Sequence, residues 1–137
     1  MAKKILVIDG QGGNIGRQLV KMILDRFPEV SLSAVGTNSS ATENMLKGGV
    51  KAAATGENAV VVACRRADII IGPIGIVIAD ALMGEVTPKM AEAVGASDAV
   101  RILIPMNRCD TLIAGVAEYS VTVYLADAMD KLAELLK

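Results

Sequence analysis

The chain has 137 residues, which is enough for one hydrophobic core but not for two, so we expect a single domain over residues 1–137. Its 14 Lys and Arg residues nearly balance its 15 Asp and Glu residues, and no basic tract stands out, so nucleic acid is not an expected partner. The chain has no histidine and no Cys-x-x-Cys spacing. Because histidine is the commonest general base and transition-metal ligand, we predict no metal-ligating residues.

Apolar side chains make up a large part of the sequence. The hydrophobic fraction is 53% and the mean hydropathy is +0.48, whereas aromatic residues account for 2%. We therefore expect an aliphatic core and some apolar surface covered by a second copy, which predicts a homo-oligomer. The longest apolar stretch, 69–83, is interrupted and shorter than the roughly 20 residues of a membrane helix. With no signal-peptide pattern either, we expect a cytoplasmic protein without a membrane partner.

Strand patterns and helix patterns alternate along the chain. In chain order the predicted elements are strand 3–8, helix 15–27, strand 30–35, helix 41–47, a weak strand 50–53, helix 57–66, strand 68–71, helix 76–83, helix 88–94, strand 100–104, strand 111–116 and helix 121–135. The valines at 60–62 also favour a strand within the third helix. Helix starts are indicated by the capping-box spacing of Ser40 and Glu43, and by Thr87 followed by Pro88.

Strands that are apolar throughout and alternate with helices imply a parallel sheet covered on both faces. We therefore predict an α/β fold, namely a three-layer, Rossmann-like, doubly wound and mostly parallel sheet of about five to six strands. In such a sheet the ligand lies outside the carboxyl ends of the strands. The informative residues are those that follow each predicted strand.

The loops after the predicted strands are rich in small, polar and charged residues. They lie at 9–16, 36–38, 55–58, 72–75 and 106–110. Turn chemistry accounts for part of this composition, but loops that share one edge of the sheet also predict a binding site. The predicted ligand-binding residues are Gly10, Gln11, Gly12, Gly13, Asn14, Ile15, Gly16, Thr37, Asn38, Gly72, Pro73, Ile74, Gly75 and Asn107.

The first of these loops, DGQGGNIG at 9–16, spaces glycines at 10, 13 and 16 as G-x-x-G-x-x-G. Glycines let a ligand approach the backbone, and the amides at the start of the next helix suit a phosphate. The pattern resembles the phosphate-binding turn of extended short-chain dehydrogenases and related NAD(P)-binding proteins. The resemblance covers about the first 40 residues and implies NAD(P) or another nucleotide as the cofactor.

Two residue positions depart from a dinucleotide site. Asp9 would bring a carboxylate near the phosphates, which is unfavourable unless it is turned away or a cation such as Mg²⁺ lies between them. Where an NAD-binding protein has an acid for the ribose, residues 36–39 read Gly-Thr-Asn-Ser, with no arginine for a 2′-phosphate. Hydroxyls and an amide still suit NADP or a shorter nucleotide. For residues 37–40, helix capping is at least as good an interpretation as ligand contact.

The sequence names only weak candidates for catalysis. Reductases of the resembled family use a Tyr-x-x-x-Lys pair, whereas Tyr119 and Tyr124 have no lysine four residues on, so packing or a subunit contact explains them better. The remaining candidate catalytic residues are Asp9, Glu57, Arg108 and Cys109. Three of these residues have a non-catalytic alternative. Glu57 can serve as a charge at a helix N-terminus, Arg108 as a solvated surface residue and Cys109 as an inert thiol.

Five phrases, DGQGGNIG, GTNSSAT, ATGENA, GPIGIVIADALMGEVTP and ILIPMNRC, together resemble a small bacterial family known as a domain of unknown function. The resemblance runs over nearly the whole chain and implies no particular activity. The leading hypothesis is a module that binds or senses a nucleotide or another phosphorylated small molecule, with NAD(P) as the first candidate. The alternatives are a small-molecule oxidoreductase or transferase using the same site, and an oligomeric interaction subunit whose site is degenerate.

Overall fold

The computed structural model describes residues 2–106 and 110–137, and strands and helices alternate through it. Aliphatic runs form the strands, and amphipathic segments between them form the helices. In chain order the elements are β1 (Lys4–Asp9), α1 (Asn14–Arg26), β2 (Ser31–Gly36), α2 (Ser39–Lys47), β3 (Ala52–Thr55), α3 (Glu57–Arg66), β4 (Ile69–Pro73), a 3-10 turn (Ile74–Val77), α4 (Pro88–Ala96), β5 (Val100–Ile104) and α5 (Val121–Leu135).

The strands form one five-stranded sheet in the order β3-β2-β1-β4-β5, and every pairing is parallel. Val7 at the centre pairs with Ala34 on one side and with Ile71 on the other. After β3 the chain crosses back over β1, so strand order reverses between β1 and β4. The predicted Rossmann-like α/β fold is confirmed, and the crevice expected for a ligand lies at the carboxyl ends of these two strands.

The helices cover both faces of the sheet and make three layers. Because side chains alternate along a strand, Ile5 and Val7 face α1, α2 and α5, whereas Leu6 and Ile8 face α3 and α4. These four side chains of β1 are at most 1% exposed. Burying each one stabilises the fold by roughly 1.5–3 kcal/mol, so the position of β1, and of the turn that follows it, is strongly determined.

Two predicted elements are wrong. The apolar stretch at 76–83 is not a helix: after the 3-10 turn the chain continues as irregular turns to Val86, with left-handed backbone at Asp80, Leu82 and Met83. Ala81 and Leu82 are nevertheless buried, so the apolar residues serve an irregular segment instead of a helix face. The stretch at 111–116 is not a strand but an irregular segment before α5.

Of the two predicted helix caps, one is confirmed and one is wrong. Thr87 caps α4 as expected, because its hydroxyl accepts from the amide of Met90 at 3.1 Å. The capping box at Ser40 is wrong, since Ser40 already lies inside α2. The cap is Asn38, whose Oδ1 accepts from the amide of Ala41 at 2.9 Å.

Within the described ranges, no helix combines the length and the apolar character needed to cross a membrane.

Candidate functional site

The turn between β1 and α1 holds the Asp9 carboxylate on its inner side. Gln11 and Gly13 adopt left-handed backbone, with φ of 49° and 75°, which reverses the chain within a few residues. Oδ1 of Asp9 accepts from the amide of Gly10 at 2.8 Å, and Oδ2 accepts from the amide of Gly16 at 2.6 Å. Asp9 is therefore turned into the start of α1, where it uses one of the amides that a ligand would need.

Burial is the main influence on the charge of Asp9, which is 2% exposed. Loss of water raises the pKa of Asp9 from 3.8 to about 6, the amides of Gly16 and Gly10 oppose that rise, and the charge of Glu85 adds to it. Asp9 thus carries most of its negative charge at neutral pH but holds it at a cost in free energy. Its oxygens are directed to the backbone of its own turn.

The three glycines of the predicted motif are each required by packing. A Cβ on Gly10 would lie 2.6 Å from the Thr37 hydroxyl, and one on Gly16 would lie 2.6 Å from the Met45 sulfur. A Cβ on Gly13 would lie 2.7 Å from the Cα of Ala41. Gly12 differs, because its Cβ would have no neighbour closer than 4.0 Å. Only Gly12 is left for a role other than close packing.

Three amides of this turn remain available as hydrogen-bond donors in the described ranges. The N–H groups of Gly12, Asn14 and Ile15 donate to no acceptor in the part of the chain that the structure describes. Asn14 and Ile15 are the first two residues of α1, where amides carry the partial positive charge of the helix N-terminus. These donors are suited to an anionic group.

Glu85 belongs to this site and was missed at the sequence level. Its Oε1 accepts from the amide of Gln11 at 2.8 Å, the hydroxyl of Thr37 at 2.8 Å and Nδ2 of Asn38 at 2.7 Å. Partial burial raises the pKa of Glu85, but the hydrogen bonds from Gln11, Thr37 and Asn38 outweigh it and hold the pKa below 4.5. Glu85 therefore ties the turn after β1 to the turn after β2 with a charged group.

The side of the turn toward α2 is held by Asn44. Its Nδ2 donates to the carbonyl of Gly12 at 2.9 Å and to Oδ1 of Asn14 at 3.1 Å. Nη1 of Arg17 in turn donates to Oδ1 of Asn44 at 3.3 Å. The turn is thus fixed from both sides before any ligand arrives.

Comparison with known proteins places the chain in a family. Residues 4–137 match the family described as a domain of unknown function, DUF3842. The chain belongs to this family. Among solved structures, a similar one is the crystal structure of phenylacrylic acid decarboxylase from Aquifex aeolicus, at 15% identity and a TM-score of 0.41, covering 100% of this chain and 97% of that chain. No curated protein sequence matches the chain.

Four predicted site residues of this DUF3842 domain, at 72–75, lie at the same edge of the sheet as the glycine turn but are not hydrogen-bonded to it in the described ranges. Gly72 and Pro73 end β4, and Ile74 and Gly75 begin the 3-10 turn. A Cβ on Gly72 would lie 2.3 Å from the carbonyl oxygen of Ile8, so close strand packing requires this glycine. These residues lie beside β1 at the reversal of strand order, but they make no hydrogen bond to the glycine turn in the described ranges.

The candidate catalytic residues are not brought together in the described ranges. Glu57 is exposed in the first turn of α3, where its charge suits the helix N-terminus. Asn107, Arg108 and Cys109 lie outside the described residues, and their predicted roles stay predictions. Tyr124 is buried and donates to the carbonyl of Ala117 at 2.7 Å, which fits the packing role expected of it.

The described residues contain no cluster of three or more Cys, Asp or Glu side chains placed to hold a metal ion. Cys64 is a free thiol that is 3% exposed, and burial raises its pKa to about 11. A thiol that stays protonated at neutral pH is a poor nucleophile, so Cys64 is a core residue.

Proposed function

We propose that this domain binds a phosphorylated small molecule at the turn between β1 and α1, and that NAD(P) and other nucleotides are the first ligands to test. The observation that carries the proposal is the set of three amides at Gly12, Asn14 and Ile15, which donate to no acceptor in the described ranges. Backbone amides at a helix N-terminus bind phosphate through hydrogen bonds and the helix dipole together. The open space at Gly12 supports the same proposal, because a ligand oxygen can approach there.

The position of Asp9 limits which ligand charge the turn accepts. Asp9 takes the amide of Gly16, the third residue of α1, so fewer amides remain for a phosphate than in a turn without this acid. Its charge also lies close to the ligand and opposes a dianion. A divalent cation such as Mg²⁺ would relieve that repulsion, so we propose that each nucleotide be tested with and without Mg²⁺.

Ligand binding is expected to depend on Gly12. Gly12→Asp adds a negative charge beside the free amides and should weaken nucleotide binding by about tenfold or more. Gly12→Asn has the same shape without the charge and is the matched control. Both variants should fold, because a Cβ at residue 12 would have no neighbour closer than 4.0 Å. Thermal shift and calorimetry with NAD, NADP, ATP, GTP and AMP measure the effect; no response of wild type to any of them would contradict the proposal.

We also propose that the domain forms a homo-oligomer through the free edge of the sheet. β5 pairs with β4 on one side and, among the described residues, with no strand on the other. A groove of about 980 Å³ runs along it toward α5. The groove is lined in part by apolar side chains that are exposed, namely Val100, Val116, Tyr119 and Val123. A second copy suits this surface because two β5 edges can pair while their apolar side chains are covered.

The oligomer is tested by its mass in solution. Light scattering after size exclusion is expected to give a multiple of 14.2 kDa, and Val123→Lys should shift the mass to the monomer. Glu92→Lys places the same side chain on the exposed surface of α4, away from the groove, and should leave the mass unchanged. A wild-type monomer at every concentration would rule out this assembly.

A further inference from the structure

We infer that Gln11, Thr37 and Asn38 form a binding site for a phosphate monoester, and that Glu85 occupies this site as an internal competitor that the ligand displaces. The inference rests on the proposed function, because it places the terminal phosphate of the same phosphorylated ligand beside the glycine turn. Beyond the proposed function, the inference adds a second set of hydrogen-bond donors and a side chain, Glu85, that fills the site in the absence of ligand.

The first observation is that three donors converge on a single oxygen. The backbone N–H of Gln11, the hydroxyl of Thr37 and Nδ2 of Asn38 all lie within 2.8 Å of Oε1 of Glu85. The backbone of Gly10 also approaches this oxygen, because a Cβ there would lie 3.1 Å from it. A cradle that surrounds one oxygen with donors is the arrangement that binds an oxyanion.

The second observation is that the donors are held by contacts that do not involve Glu85. The amide of Thr37 donates to the carbonyl of Asp9 at 3.0 Å. The Asn38 side chain caps α2 through Ala41 and donates to the carbonyl of Gln11 at 3.0 Å. The cradle therefore keeps its shape when Glu85 leaves, and a ligand does not have to organise it.

The third observation is that Glu85 can leave without unfolding the segment that carries it. Leu82 and Val86 on either side of Glu85 are 3% and 1% exposed and anchor the backbone. The Glu85 side chain itself is only partly buried and has three rotatable bonds. Rotation of this side chain into solvent is enough to empty the cradle. The anchored backbone then returns it when the ligand leaves.

A phosphate monoester is the anion that such a site favours over a carboxylate. A carboxylate ligand would make the same hydrogen bonds as the Glu85 carboxylate that it displaces. It would also lose translational and rotational entropy on binding, so it would not compete with Glu85. A phosphate monoester has three terminal oxygens to accept hydrogen bonds, so it can use more donors at once than a carboxylate can. Gln11 is followed directly by Gly12, so the free amide of Gly12 is within the same turn for another phosphate oxygen.

The test is calorimetric titration with inorganic phosphate at matched ionic strength. A site that is free in only a fraction of molecules binds with an affinity reduced by that fraction. Glu85→Ala empties the cradle and should tighten phosphate binding by about tenfold. Adding Thr37→Val, which keeps the shape but removes the hydroxyl donor, should reverse most of this gain. Adding Ser39→Ala instead removes an exposed hydroxyl at the first residue of α2 and should leave the gain in place.

Unchanged phosphate affinity in a folded Glu85→Ala would overturn the inference, as would a gain that Thr37→Val does not reduce. If Glu85→Ala does not fold, NMR of wild type decides: phosphate, but not chloride, should shift the side-chain carboxyl carbon of Glu85 and the amide of Gln11. No shift at saturating phosphate would overturn the inference too. If nucleotide binding depends on Gly12 but Glu85→Ala does not bind phosphate more tightly, the proposed function is supported and this inference is wrong. If Glu85→Ala binds phosphate more tightly but no nucleotide binding depends on Gly12, the phosphate site is supported and the proposed function is wrong.

Discussion

Gly13→Ala is expected to lower the free energy of unfolding by about 3 kcal/mol. Gly13 has a left-handed φ of 75°, and an alanine in this conformation costs about 1–2 kcal/mol. Its Cβ would also lie 2.7 Å from the Cα and 2.8 Å from the carbonyl oxygen of Ala41. Backbone cannot move aside as a flexible side chain can, so overpacking between the turn and α2 adds about another 1–3 kcal/mol.

Gly12→Ala is the control for this prediction. It places the same methyl group one residue earlier, where the nearest atom would be 4.0 Å away. Its effect should stay within about 0.5 kcal/mol, as for most substitutions away from packed features. Urea unfolding of wild type and both variants measures the difference. Equal stability of Gly13→Ala and Gly12→Ala would show that the turn and α2 are not packed as described.

The packing at Gly13 also changes what the glycine pattern means. Gly10, Gly13 and Gly16 all have a close neighbour where a Cβ would be. Gly13 and Gly16 are therefore explained by the approach of α1 to β1 and α2, and Gly10 by the approach of Thr37 and Leu82, without a ligand. The stronger indication of ligand binding is the set of amides at 12, 14 and 15 that have no acceptor among the described residues, which the glycine spacing alone does not reveal.

Long aliphatic runs made the sheet predictable from the sequence. Residues 3–8 and 68–71 were identified because a strand buried on both faces requires consecutive apolar side chains, and β1 and β4 are such strands at the centre of the sheet. The same signal was ambiguous at 76–83, where buried residues belong to an irregular segment. A single apolar run does not distinguish a helix from a turn whose side chains point inward.

Glu85 could not be predicted for a related reason. It lies 74 residues from Gln11 in the chain, and it reaches Gln11 only because the segment before it adopts left-handed backbone at Asp80, Leu82 and Met83. These are not glycines, so composition gives no sign of the conformation. The one available signal was an acidic residue within an apolar phrase, and that signal alone does not say which turn the residue reaches.

The stability of the domain is expected to fall as pH rises from about 4 to about 7, through the buried carboxyl of Asp9. Its pKa is raised from 3.8 to about 6 on folding, so between these values the folded state keeps a proton that the unfolded state has lost. Folding is favoured where that proton is bound and loses this contribution as pH rises through about 6. A shift of about two units corresponds to about 3 kcal/mol at full extent, since each unit is about 1.4 kcal/mol.

Asp9→Asn isolates this contribution because asparagine cannot ionise. The free energy of unfolding of Asp9→Asn minus that of wild type should rise by about 2 kcal/mol between about pH 4 and pH 7.5. Its value at low pH reports the separate loss of one amide hydrogen bond, because the Asn amide group cannot accept from both Gly10 and Gly16. Asp25→Asn, at an exposed residue on α1, is the control and should show no such rise.

The charge of Glu85 gives an independent check on the same carboxyl. Because that charge contributes to the raised pKa of Asp9, Glu85→Gln should lower the midpoint at which the Asp9 carboxyl carbon titrates by NMR. The side-chain amide of this variant keeps an oxygen to accept from Gln11, Thr37 and Asn38, so the geometry of the two turns is preserved while the charge is removed. A midpoint that stays near 6 in this variant would show that burial alone sets it. The stability measurement has its own contradicting outcome. If the free energy of unfolding of Asp9→Asn minus that of wild type does not change with pH, Asp9 is not held as a buried carboxylate. The amide of Gly16 would then be available to a ligand.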